Sequence, residues 1–96
     1  MAGGVLVVVE VLGITDQEQF AAYQSQARVQ LRERGGVLLG RGGAIYEGPA
    51  LGLSAMVQRW PSEQAFRDWQ DSDEYRPLLE IRRRVADIRL ILIPEV

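Results

Sequence analysis

Arginine, tyrosine and one carboxylate carry most of the chemistry available to this chain. Arg82 stands at helical spacing from Tyr75, Leu78, Leu79, Val85 and Ala86, on the core-facing stripe of its segment. A guanidinium among such neighbours must find a carboxylate, carbonyls or a bound anion, because an unpaired buried charge is costly. One reading is structural: an internal ion pair with Glu10 or Glu47, or a stem that carries the charge past the helix edge. The other is a fork that receives a substrate carboxylate, enolate or phosphate. Arg41 sits in Gly40-Arg41-Gly42-Gly43, where glycines bring the backbone close and leave N–H groups free. That suits an anion, and it suits a tight bulge equally well. No helix follows it, so it matches neither a dinucleotide nor a P-loop fingerprint.

The phenols of Tyr75 and Tyr23 need partners if buried, and each could hydrogen-bond a ligand or shuttle a proton. Glu10 interrupts the strongest apolar run of the chain. Desolvation would raise its pKa unless an arginine answered it, and either state could do acid–base work; a strand-end residue at the sheet rim is the plain alternative. Trp60, Trp69 and Phe20 fit an apolar pocket wall or simply the core. The expected catalytic residues are therefore Arg82, Tyr75 and Glu10, with Arg41, Tyr23, Trp60 and Trp69 binding substrate.

What is missing narrows the chemistry. The 96 residues hold no cysteine, histidine or lysine; all 11 basic residues are arginine. That excludes a disulfide framework, a thiol nucleophile, a Cys/His zinc site, a histidine base or haem ligand, and a lysine Schiff base. The acidic cluster Asp71, Asp73 and Glu74 is explained by a helix start, and no metal and no cofactor are expected. A net charge of −2 argues against nucleic acid. Met1-Ala2-Gly3-Gly4 lacks a basic leader region, and Val5–Val9 is too short to span a membrane, so a cytoplasmic protein away from the bilayer is expected.

These side chains need elements to position them. Val5–Val11 is a β-branched run, apolar at both parities, and predicts a strand covered on both faces. Thr15-Asp16-Gln17-Glu18 has capping-box spacing, with Thr15 at the N-cap. Phe20, Tyr23, Ala27 and Leu31 then recur at helical spacing until Gly35-Gly36 stops the helix. Val37–Leu39 predicts a second strand, broken at Gly40–Gly43 and resuming through Ala44–Tyr46. Leu53–Trp60 predicts a third, ended by Pro61. Ser62 caps a helix bearing Ala65, Phe66 and Trp69, Ser72-Asp73-Glu74 restarts one, and Ile88–Ile93 closes the chain as a strand. The order β-α-β-β-α-β predicts one α+β domain over residues 1–96, a ferredoxin-like antiparallel sheet with its helices on one face. The natural cavity then lies between the helices and the inner sheet face.

One layer of helices covers only one side of such a sheet, yet the first and last strands are apolar at both parities. Four strands about 4.8 Å apart and about 17 Å long leave roughly 300 Å² bare. At about 25 cal/mol per Å² this is ~8 kcal/mol of unrealised burial, comparable to the stability of a small domain. A homodimer packed sheet on sheet removes the deficit with one self-complementary patch.

Gly35-Gly36, Arg41-Gly42-Gly43, Glu47-Gly48, Trp60-Pro61-Ser62 and Trp69-x-x-Ser72-x-Glu74-Tyr75, in this order of elements, resemble the domain of unknown function 1330 family of small bacterial proteins. Arg82 falls where that family carries an arginine; Ser54 and Arg59 depart from its pattern. The resemblance implies the dimeric α+β barrel superfamily, whose members include cofactor-free monooxygenases, isomerases, cyclases, haem-degrading enzymes and proteins of no assigned chemistry. Residues and resemblance together lead to the expectation of a small cofactor-independent enzyme for an anionic or partly apolar small molecule. A ligand-binding module or a purely structural dimer stands beside it.

Overall fold

The computed structural model describes residues 3–50 and 52–96, so Met1 and Ala2, read above for a leader, lie outside the described residues. Among the described residues four strands and three helices follow one another as β1 (Val5–Ile14), α1 (Gln17–Glu33), β2 (Val37–Gly42), β3 (Ser54–Trp60), α2 (Glu63–Gln70), α3 (Arg76–Val85) and β4 (Ala86–Pro94). The strands form one antiparallel sheet in the order β2-β3-β1-β4. This is the ferredoxin-like α+β arrangement that the order of elements predicts. Among the described residues no helix is long and apolar enough to cross a membrane.

The sheet's two faces are set by register. Val5, Val7, Val9 and Val11 of β1 are buried beneath the helices with Phe20, Tyr23, Ala27 and Leu31 of α1 and Leu78 and Val85 of α3. Leu6 and Val8 point the other way, opposite Ile93 and Ile91 of β4. No helix covers that side, and Ile93 remains 43% exposed in the single chain.

Four local expectations are corrected. Asp16, not Thr15, caps α1: its carboxylate accepts from the Gln19 amide at 3.0 Å, and this backbone bond holds its pKa below the usual carboxylate value. Thr15 is diverted to a tertiary contact, its hydroxyl and its amide both donating to the Val85 carbonyl. β2 runs unbroken through Gly40 by a register shift between Leu38 and Gly40, and it does not resume at Ala44–Tyr46, which is irregular. The reason is local: Gly42 and Gly43 have φ of +100° and +97°, a turn of the chain that no strand continues through. Finally, α3 begins at Arg76, because residues 72–75 form a turn in which the Ser72 hydroxyl accepts from the Tyr75 amide. Ser62 caps α2 as expected, accepting from the Ala65 amide at 3.1 Å.

Candidate functional site

A cavity of about 70 Å³ opens between the inner face of the sheet and the three helices. β1 and β4 supply its apolar floor. α1 brings Tyr23 and Arg28 to it, β2 brings Arg41, β3 brings Gln58, and the α2–α3 segment brings Trp69, Gln70, Tyr75 and Arg82. Helical periodicity places Tyr23 one turn from Phe20 and Ala27, on the stripe that faces the sheet. Strand alternation places Gln58 on the inner face between Met56 and Trp60, the opposite side from Val57.

At the centre lies a chain of three polar side chains. The hydroxyls of Tyr23 and Tyr75 are 2.5 Å apart, and Arg82 Nη1 donates to the Tyr75 oxygen at 3.2 Å. Arg82 Nη1 also reaches Gln70 Oε1 at 3.4 Å. Both acceptors are neutral, and no carboxylate of the described residues stands within ion-pair distance of Arg82. A guanidinium has five N–H donors, so most of this one's are uncommitted. Burial, with the neighbouring Tyr75 oxygen, pushes the Tyr23 phenol well above its usual pKa, the opposing pull of Arg82 being smaller. Tyr23 therefore stays protonated throughout the physiological range. Tyr75 is completely buried; its hydroxyl holds Arg82 and Tyr23 in place from behind.

Charge around the cavity is one-sided. Arg28, Arg41 and Arg82 border it, and among the described residues no aspartate or glutamate does. In a chain of net charge −2 this is a local reversal of sign, and it favours an anion.

The tryptophans divide. Trp69 lines the cavity, its orientation fixed by an indole N–H donated to Gln30 Oε1 at 3.0 Å. Trp60 is fully buried behind it, stacked on Trp69 at 5.2 Å between ring centroids. It belongs to the core, not to the wall. Glu10 does not join the site at all. Its register opposite Ala55 and Arg89 puts it with Leu6 and Val8 on the uncovered face, where Arg89 Nη2 binds both its oxygens at 2.8 and 3.0 Å. Arginine answers the carboxylate, but it is Arg89 and not Arg82. The expected pairing of Arg82 with Glu10 or Glu47 is thus replaced by neutral partners.

Two cavity residues escaped sequence reasoning. Gln58 and Gln70 belong to no motif, and glutamine is seldom singled out. The available signal was Gln58's position two residues before Trp60 on the inward parity of β3, where an apolar residue is the norm.

Comparisons with known proteins agree with this fold. No curated protein matches the chain. Among solved structures, a protein of unknown function from Rhodopseudomonas palustris, RPA0582, superposes with a TM-score of 0.80 at 20% identity, over 100% of this chain and 85% of that one. SnoaB, a cofactor-independent oxygenase from Streptomyces nogalater, gives 0.68 at 15% identity, over 99% and 95%. A dimeric ferredoxin-like protein of unknown function from Thermobifida fusca gives 0.61 at 15%, over 99% and 93%. At such identities the likeness is one of fold. The family model for "Domain of unknown function (DUF1330)" matches residues 4–96, nearly the full length, and the chain belongs to that family.

Proposed function

We propose that this protein is a cofactor-independent enzyme of the isomerase, cyclase or monooxygenase type, acting on a small, partly apolar anion held in the cavity. The observation that carries the reading is Arg82: a half-buried guanidinium whose partners are a phenol and an amide, never a carboxylate. Arg82 stabilises the oxyanion of an enolate or phenolate and Arg41 adds positive charge from the edge strand. Trp69 packs against the ring or chain of the substrate. Tyr75 holds the guanidinium and the Tyr23 hydroxyl in position, and the two phenols form a short path along which a proton travels between the cavity and Arg82's surroundings. SnoaB, which shares the fold, is an oxygenase without a cofactor, in keeping with this class of chemistry.

The test is turnover of a panel of enolisable aryl keto acids and hydroxylated aromatic acids, followed by oxygen uptake and ultraviolet absorbance. Arg82→Ala lowers kcat/KM by about 100-fold or more, the cost of removing one oxyanion donor. Turnover indifferent to that change would defeat the assignment. A second reading, a binding protein without turnover, is favoured by one observation: among the described residues no carboxylate borders the cavity to act as a base. Saturable, Arg82-dependent binding with no product would select it.

The uncovered sheet face is proposed as the homodimer interface. Leu6, Val8, Val57, Ile91 and Ile93 make its apolar centre, and Arg89–Glu10 and Arg59–Glu95 ion pairs flank it. The apolar centre with a charged border is what a self-complementary patch requires.

A further inference from the structure

Gln58 is the one buried residue among those described that is neither apolar nor aromatic, 8% exposed, and it lies on the cavity wall. Its amide cannot rotate freely. The indole N–H of Trp60, which can only donate, gives its hydrogen bond to Gln58 Oε1 at 2.9 Å. The carbonyl end is thereby turned toward the core, and the amino end must face the other way. No described residue accepts from Gln58 Nε2, and no buried side-chain nitrogen of the described residues lacks a partner. Nε2 is therefore not sealed in the core, and with Gln58 on the cavity wall it opens onto the cavity.

We infer that Gln58 Nε2 is a fixed hydrogen-bond donor that selects ligands carrying a neutral carbonyl oxygen, in addition to the anionic oxygen taken by Arg82. This inference rests on the anion-binding reading above and makes it more specific: the preferred ligand is a keto acid or keto-enolate with its two oxygens separated across an apolar body. A simple carboxylate with a hydrocarbon tail leaves the amide hydrogens bare in a water-poor pocket, which costs affinity. A ligand presenting a donor-only group such as an ammonium at that point is disfavoured further, since Trp60 denies the amide its flipped orientation. Trp60 thus contributes to specificity without touching the ligand, as a positioning residue.

The probes are 2-, 3- and 4-acetylbenzoate, each set against the isosteric isopropenylbenzoate in which a methylene replaces the ketone oxygen, with acetophenone as the neutral control. At least one acetylbenzoate binds about threefold to tenfold more tightly than its isopropenyl partner, the range expected of one neutral hydrogen bond. Its ketone stretching frequency falls on binding. Gln58→Met abolishes both the preference and the frequency shift. Gln58→Glu, which keeps an acceptor for Trp60 and so guards against misfolding, also abolishes the preference, with the Trp60 indole N–H resonance reporting that the core is intact. Arg82-dependent binding of the acids with no ketone preference overturns the Gln58 assignment and leaves the anion site standing. Gln58-dependent binding of acetophenone alone does the reverse, and binding of none of the probes overturns both.

Discussion

The hydroxyls of Tyr23 and Tyr75 meet at 2.5 Å although the residues lie 52 positions apart. This contact joins α1 to the start of α3 and fixes the height at which Arg82 enters the cavity. Replacing Tyr75 by Phe removes the hydroxyl that both Tyr23 and Arg82 bind. Tyr75→Phe costs about 1–3 kcal/mol of stability, since it strands buried donors, and urea denaturation measures it. Ligand affinity falls in the same variant because the guanidinium loses its anchor. An unchanged affinity would mean that Gln70 alone positions Arg82.

Alkaline pH provides a second check on Tyr23. Its folded pKa is raised by burial, so its contribution to stability is complete below the unfolded phenol's pKa of about 10. Above that value the unfolded chain loses a proton that the folded chain keeps. Stability then declines with rising pH, by about 1.4 kcal/mol per pH unit from this group. Urea midpoints between pH 8 and pH 11 follow the decline, and Tyr23→Phe makes it shallower. Equal slopes in the two proteins would show that Tyr23 titrates normally in the fold.

Two glycines that look alike in the sequence behave differently. A Cβ on Gly36 would stand 2.8 Å from Leu31 Cγ and from Trp60 Cζ2, whereas one on Gly40 meets nothing within 4 Å. Gly36→Ala is therefore destabilising by about 1–3 kcal/mol through overpacking against the indole, while Gly40→Ala is tolerated. Thermal denaturation of the two variants compares them directly.

The bare sheet face predicts a dimer of 10.8 kDa chains. Ile91→Arg sets a third positive charge beside Arg89 and Arg59 at the centre of that face and releases monomers, seen by sedimentation at micromolar concentration. Because Ile91 points away from the helices, the fold itself survives. A wild-type protein that sediments as a monomer would remove the proposed interface.

Much of this architecture is legible in the sequence, and the illegible parts have identifiable causes. The α1 stripe Phe20, Tyr23, Ala27 and Leu31 is buried to the last residue, since a single apolar stripe has a readable phase. β1 has none: Val5 to Val9 are apolar at every position, so sequence alone could not say which parity faces the helices. Glu10 therefore reads equally as an acid–base residue or as a residue of the sheet rim, and register sends it to the face opposite the cavity. The Arg82 partners show the complementary difficulty. Spacing on α3 reveals that the side chain is directed inward, but its neutral neighbours arise from α2 and the turn after it, whose relation to α3 is tertiary. The Gln58 amide was missed because its role depends on Trp60 accepting no bond of its own, a property of the pair and not of either residue.

β4 binds β1 along its whole length, so residues such as Glu10 and Arg89 that face each other are separated by 79 positions. Thr15 and Val85, joined across 70, repeat the same long closure at the helix end. The central strand therefore acquires its second neighbour only after a large loop of chain has been brought together, an entropic toll that short-range contacts cannot share. Until then one hydrogen-bonding edge of the valine run is open to any other extended chain. A deletion that removes β4 should accordingly yield aggregates and not a smaller folded protein.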